Sequence, residues 1–431
     1  MSDLVRVPAH RVSTAHLQAA YPFVAESGIG GGRGVFIGQD LFGGGSFCYD
    51  PFEFYAQGLL TDPNMIVLGH IGRGKSSLVK TYIIRQQVFG RKAAVMDPKG
   101  EYQDLAAALG VTPLRLTPGG AIRLNPLDPG PGAGELDAEE TITRQESLLT
   151  SIAEAALKRR LNPGEQTACR LGLDHVRSKT DQPTIPEVAA ALLNPNYATA
   201  TRAHSTPERL AEDGRELALE LLRLCEGDLR GMFDGHTSVD IDWDGPLVII
   251  DLSVLHQSDA LPILMTCAAA WLQAAFARPG AGKRIIVIDE AWSILKTVGI
   301  ARWLQANFKL SRAYGIQNMI IMHRVSDLKA TGDLGTETRT IAEGLLSDAG
   351  TRVVYAQSPD EIVTAKELLD LTGTEANLLP SLGRGEAVWK VGSRSFVVRH
   401  MLGRAELSLV NTDARMAQTA IYRNAAVAGE G

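Results

Sequence analysis

Residues 64–80 read NMIVLGHIGRGKSSLVK, and no other stretch restricts the fold so strongly. Four apolar residues, 65–68, fit a buried strand, and residues 75–90 fit a helix that ends near Gly90. The turn between them matches G-x-x-x-x-G-K-[ST]. Gly69 and Gly74 let the backbone curl so that successive N–H groups point inward at phosphate oxygens. His70, Ile71, Gly72 and Arg73 supply the intervening amides. The following helix turns its positive end toward the same oxygens, with Ser77 in its first turn. Lys75 is spaced to reach β- and γ-phosphates, and Ser76 to give an oxygen to Mg²⁺. ATP and Mg²⁺ are the expected ligands.

From this point strand and helix patterns alternate. KAAVMD (92–97) reads as a second strand, 101–110 as a helix stopped by Gly110, and PLRL as a short strand. Such alternation implies a parallel sheet covered by helices. NPLDPGPGAGEL (125–136) breaks the pattern with proline and glycine. Residues 131–240 then carry helical spacing almost throughout. The α/β pattern resumes with PLVIIDLS (246–253), RIIVIDEAW (284–292), NMIIMH (318–323) and TRVVYAQ (351–357), and GEAVWKVGSRSFVVRHML (385–402) alternates like a hairpin around Gly392. The expected organisation is an α/β chain: a P-loop NTPase sheet (61–130 and 241–405) with an inserted all-helical subdomain (131–240). A small N-terminal β-layer (1–60) and a C-terminal tail (406–431) complete it. The tail AAVAGEG is expected to be disordered. Glycines in the first sixty residues do not form a strand–G-x-G-x-x-G–helix unit, so a dinucleotide fingerprint is rejected.

Asp289 and Glu290 close the apolar run RIIVI, at the strand edge where open α/β sheets hold their ligands. Asp289 is placed to hold Mg²⁺ through water, and Glu290 to orient and deprotonate an attacking water. An adjacent acidic pair favours hydrolysis over transfer to a small acceptor. Asp97, ending a second strand, either faces the same crevice or caps the next helix. His323, ending NMIIMH, is either a γ-phosphate sensor or a structural histidine. Arg312, near the end of the helix after the acidic pair, either favours the helix dipole or reaches a neighbouring subunit's γ-phosphate as an arginine finger.

The net charge of −6 argues against a constitutive nucleic-acid coat, so DNA is a possible partner that the charge does not indicate. The four cysteines, Cys48, Cys169, Cys225 and Cys267, are scattered without a C-x-x-C pair, which fits reduced thiols in a cytosolic protein. No run of about 18 apolar residues is present, and 261–277 reads as a buried core helix. The expected location is cytoplasmic, at the inner face of the membrane only through partners. The L-S-G-G-Q signature of ABC transport ATPases and the N-K-x-D of GTPases are both absent.

The phosphate loop, DPKGEY, LNPLD, the helical insertion, the DLS strand, VIDEAW and an R-x-x-G before a further strand occur here in one order. In that order they resemble the TraC/VirB-type ATPases of type IV secretion and conjugation systems, within the HerA–FtsK clan of hexameric motors. The resemblance runs from the loop to about residue 400. It implies a RecA-like fold, a homo-hexamer with ATP between subunits, and Lys75, Ser76, Asp289 and Glu290 in the roles above. It favours Arg312 as the finger, since related motors carry one at the corresponding R-K-x-G stretch. It also implies docking on a membrane-anchored secretion or conjugation complex, with ATP turnover driving substrate transfer or assembly. The alternatives are a DNA-translocating motor of the same clan, such as a coupling protein or DNA pump, and a scaffold that hydrolyses little. The family usually has Gln where this chain has His323. It also usually carries a large N-terminal domain, so a separate chain is expected to supply the docking part.

Overall fold

The computed structural model describes residues 34–410 except 131–137, 228, 257, 259, 277–279, 297 and 325–336, together with Ser13, His16 and Ile29. The tail 425–431 lies outside the described residues.

Every apolar run that reads as a strand forms one. In chain order the strands are β1 (Val35–Asp40), β2 (Ser46–Tyr49), β3 (Met65–Leu68), β4 (Lys92–Asp97), β5 (Leu114–Arg115) and β6 (Leu247–Asp251). They continue with β7 (Arg284–Ile288), β8 (Ile316–Met322), β9 (Thr351–Tyr355), β10 (Glu386–Val391) and β11 (Arg394–His400). Among the described residues they make a single eleven-stranded sheet, ordered β2-β1-β11-β10-β9-β3-β8-β7-β4-β6-β5. The run from β9 to β5 is parallel. From β9 outward through β10, β11, β1 and β2 it is antiparallel. The N-terminal β-segment is thus joined edge-on through β11, extending the same sheet. Its partner hairpin β10–β11 turns at Gly392, whose φ of 57° suits glycine.

The parallel strands are apolar on both faces because both faces are covered. On one side Met65, Val67, Val95, Ile249 and Val287 pack against Leu78, Val79, Tyr82 and Ile83 of the helix Lys75–Gln86. On the other, Ile66, Leu68, Met96, Ile250 and Ile288 share a continuous core with the helices Leu261–Phe276 and Val298–Tyr314. That second core runs on into the helices Ala138–Leu157, Pro163–Arg177, Ile185–Leu193 and Pro207–Glu226. The helical stretch therefore completes one face of the sheet instead of closing a core of its own. Some helix starts are set by side-chain caps: Asn162 and Thr372 build reciprocal boxes with Glu165 and Glu375. Leu261–Phe276 is buried along its length. Among the described residues no helix is long and apolar enough to cross a membrane. All four cysteines are free thiols.

Candidate active site at the sheet edge

Strand order assembles the site. Because β3, β8, β7 and β4 lie side by side and parallel, their C-terminal ends open onto one crevice. The phosphate loop leaves β3, His323 follows β8, Asp289 and Glu290 follow β7, and Asp97 and Lys99 lie at the end of β4.

The loop, residues 69–74, requires its glycines for two different reasons. A Cβ on Gly69 would lie 2.4 Å from the Cβ of Tyr355, so only glycine lets the chain pass the neighbouring strand. Gly72 and Gly74 have φ of 77° and 113°. The backbone N–H of Gly385 donates to the Arg73 carbonyl at 2.9 Å, and that of Ser358 to His70 Nε2 at 3.1 Å, fixing the loop from outside. Ile71, at its tip, is 80% exposed. The helix that follows starts at Gly74 without a side-chain cap, so its first amides are turned toward the loop without a side-chain acceptor. Ser77 lies in that first turn.

Lys75 is buried and donates to the carbonyls of Gly69 and of His70, the latter at 3.0 Å. Burial pulls its ammonium down to about 8; the charge of Asp289 opposes this and that of Lys99 adds to it. Ser76 Oγ donates to Glu101 at 3.4 Å.

Glu290 sits at the centre, 3% exposed, in the left-handed region with φ of 54°. For a non-glycine residue that conformation costs on the order of 1 kcal/mol and is held by its surroundings. Its own N–H donates to Asp289 Oδ1 at 2.9 Å. One carboxylate oxygen is ion-paired with Lys99 and lies 2.5 Å from His323 Nε2, while the other accepts from the indole of Trp292. Lys99 Nζ also lies 3.0 Å from His323 Nε2. Burial raises the Glu290 carboxyl, but the bonds from His323 and Lys99 overcome it and bring it down to about 2. Asp289 goes the other way: burial, then the charges of Glu290 and Glu101, push it up to about 7.

Asp97 is decided for loop-building. Its Oδ1 accepts from the N–H groups of Lys99, Gly100 and Glu101 and its Oδ2 from that of Tyr102, at 2.8–3.2 Å. It gathers the turn that presents Lys99 and Glu101. Those two residues, with Trp292, are site members that the sequence pattern did not single out, although DPKGEY and VIDEAW contain them.

Among the described residues no three His, Cys, Asp or Glu side chains form a ready-made cation site. The donors available, the Ser76 hydroxyl and the Asp289 carboxylate, fit Mg²⁺ that completes its shell with water and substrate phosphate.

Arg312 is not part of this cluster. It lies in the last turn of Val298–Tyr314, just before β8 begins, whereas His323 follows the end of β8. Seven residues of strand separate those ends by roughly 23 Å. Arg312 is exposed, donates to the Thr61 carbonyl at 3.4 Å, and borders a cavity of about 510 Å³ with Asp62, Asn64 and Arg352 among its walls.

No family model and no curated protein sequence matches the chain. Solved structures do match. VirB4 of Thermoanaerobacter pseudethanolicus superposes with a TM-score of 0.71 at 22% identity, covering 88% of this chain and 99% of its own. The bacterial conjugative coupling protein TrwBΔN70 gives a TM-score of 0.54 at 15% identity, over 91% of this chain and 92% of its own. Plasmid coupling protein TrwB in complex with ADP and Mg²⁺ gives 0.50 at 15% identity, over 79% and 86%. The chain thus has the RecA-like P-loop NTPase fold, the architecture of VirB4 and TrwB.

Proposed function

We propose that the chain is an ATP-hydrolysing motor of a type IV secretion-like or conjugative transfer apparatus. It works as a homo-hexamer docked on membrane-anchored partners at the inner face of the cell membrane. The observation that carries the hydrolytic part is the convergence, on one sheet edge, of an uncapped loop–helix amide cradle with Lys75 and the Asp289–Glu290 pair. The apparatus is supported by the likeness in fold to VirB4 and to the coupling protein TrwB, together with the ordered motifs of the sequence.

In this reading the amides of 69–74 and Lys75 bind the phosphates of ATP. Ser76, and Asp289 through water, would hold Mg²⁺, which would supply positive charge against the phosphates. Glu290 orients the attacking water and takes its proton. His323 lies where a γ-phosphate can be sensed. Arg312 acts on the nucleotide of the neighbouring subunit, a role suited to an exposed guanidinium at the edge opposite its own loop.

Steady-state ATP hydrolysis with and without DNA, across a salt series, tests this. Turnover indifferent to DNA is expected, with activation left to a protein partner. Strong DNA stimulation fading with salt would mark phosphate-backbone contacts and replace the reading by a DNA-translocating motor. Absence of any nucleotide turnover, alone or with partners, would defeat both.

A further inference from the structure

Lys75 opens the helix after β3 and Lys99 lies in the turn after β4, two strands whose C-terminal ends open onto the same crevice. Two ammonium groups brought together beside an amide cradle repel one another unless an anion lies between them. In the arrangement seen here Lys99 meets an anion of the protein itself. It pairs with Glu290, 3% exposed, and touches His323, while its own side chain remains 25% exposed. Glu290 in turn has both oxygens engaged, one by Lys99 and His323 and the other by Trp292. A carboxylate so held is a weakened base while an ammonium and an imidazole share one of its oxygens and an indole takes the other. Asp97, by collecting four amides of the turn, fixes the backbone under Lys99 and leaves the long side chain as the movable part.

We propose that Lys99 is a second phosphate-binding lysine, which exchanges Glu290 for the γ-phosphate of bound ATP and so releases the base only when a triphosphate is present. The inference rests on the nucleotide-binding reading of the same site and gives Lys99 a role that Lys75 cannot fill. Lys75 reaches the β-phosphate that ATP and ADP share as well as the γ-phosphate, and it does not hold Glu290, whereas Lys99 stands beside the base that activates the water attacking the γ-phosphate.

The test is titration of the full chain with AMP-PNP and with ADP, each with Mg²⁺, for the wild type, Lys99→Met, Glu290→Gln and the double variant. Lys99→Met should weaken AMP-PNP about ten- to a hundredfold, the scale of one hydrogen bond to a charged group, and shift ADP by no more than about twofold. Glu290→Gln should tighten AMP-PNP in the wild-type background, because Lys99 no longer has a carboxylate to leave, and should give no such gain beside Lys99→Met. Equal losses for both nucleotides, no loss for either, or strictly additive effects would overturn the exchange while leaving the nucleotide site standing. A wild type that binds neither nucleotide would instead remove the underlying reading. Lys99→Gln replaces Lys99→Met if the latter does not fold, with retained ADP affinity as the sign of an intact site.

Discussion

The two ends of strand β8 present opposite kinds of chemistry. At its C-terminal end His323 joins a crowded polar cluster of Lys75, Lys99, Asp289, Glu290 and Trp292, drawn from three other loops. At its N-terminal end Arg312 stands exposed and donates to the Thr61 carbonyl. Under the proposed function, the first end acts on a nucleotide held by its own chain. The second has a charged group and no phosphate cradle. Hydrogen-bonded strand between them is rigid, so neither end can move to the other. Under the proposed function, one chain binds the nucleotide, and its catalyst is completed when another copy brings its N-terminal edge to the C-terminal edge of the first.

The largest effect should come from the exposed arginine. Arg312→Ala should lower ATP turnover of the assembled protein by about a thousandfold, the lower end for an arginine finger, with nucleotide affinity of the isolated chain unchanged. Lys75→Ala should abolish tight binding in its own chain. Mixing the two variants should restore part of the activity, because one mixed interface pairs an intact loop with an intact arginine. No recovery in demonstrably mixed assemblies would break the two-edge division. Next in size, Glu290→Gln should bind ATP yet turn over at least ~100-fold more slowly, as expected on losing a general base. Wild-type-like turnover there would dismiss Glu290.

Much of this was legible in the residues, and what was not has a common cause. Continuous apolar runs such as RIIVI and LVIID betray strands buried on both faces, and G-x-x-x-x-G-K-S fixes a strand, a loop and a helix at once. Asp289 and Glu290 could be located because they end such a run. Lys99 could not, because a lysine in a glycine-containing turn looks solvent-facing until β8 and β7 are known to lie between β3 and β4. The joining of β1 and β2 to the sheet through β11 was equally hidden, since it pairs segments hundreds of residues apart. The ambiguity at Asp97 was real in sequence: a carboxylate that collects amides and one that faces a ligand occupy the same position after a strand.

Acid should unseat the helix behind the loop. His400, at the end of β11, is hydrogen-bonded to Thr81 of the helix Lys75–Gln86 at 2.9 Å. Burial, reinforced by the nearby Arg85 charge and opposed by Glu406, brings it down to about 4 from 6.5. Between those values the unfolded chain takes up a proton that the folded chain refuses. The associated stability is therefore present above about pH 6.5 and lost as pH falls toward 4, up to about 3 kcal/mol in all. Denaturant midpoints from pH 7 to 4 should show that loss, and His400→Gln should flatten it. An unchanged slope in the variant would assign the acid sensitivity to other groups.

The smallest effect isolates the N-terminal edge. Asn64, buried just before β3, donates to the Phe308 carbonyl at 3.2 Å and to Ser311 Oγ at 3.1 Å, and accepts from the backbone and side-chain N–H of Asn318. It thereby ties the helix that carries Arg312 to the two central strands. Asn64→Ala leaves these buried partners unpaired and should cost about 1–3 kcal/mol in unfolding free energy. Because its side-chain bonds reach the helix Val298–Tyr314 and the N-terminal half of β8, away from the phosphate loop, nucleotide affinity should stay within about twofold of wild type, while turnover in the assembled protein falls severalfold as Arg312 loses its footing. A variant that weakened nucleotide binding instead would show that the two edges communicate through β3 and β8, and would undo the separation on which the trans assignment of Arg312 depends.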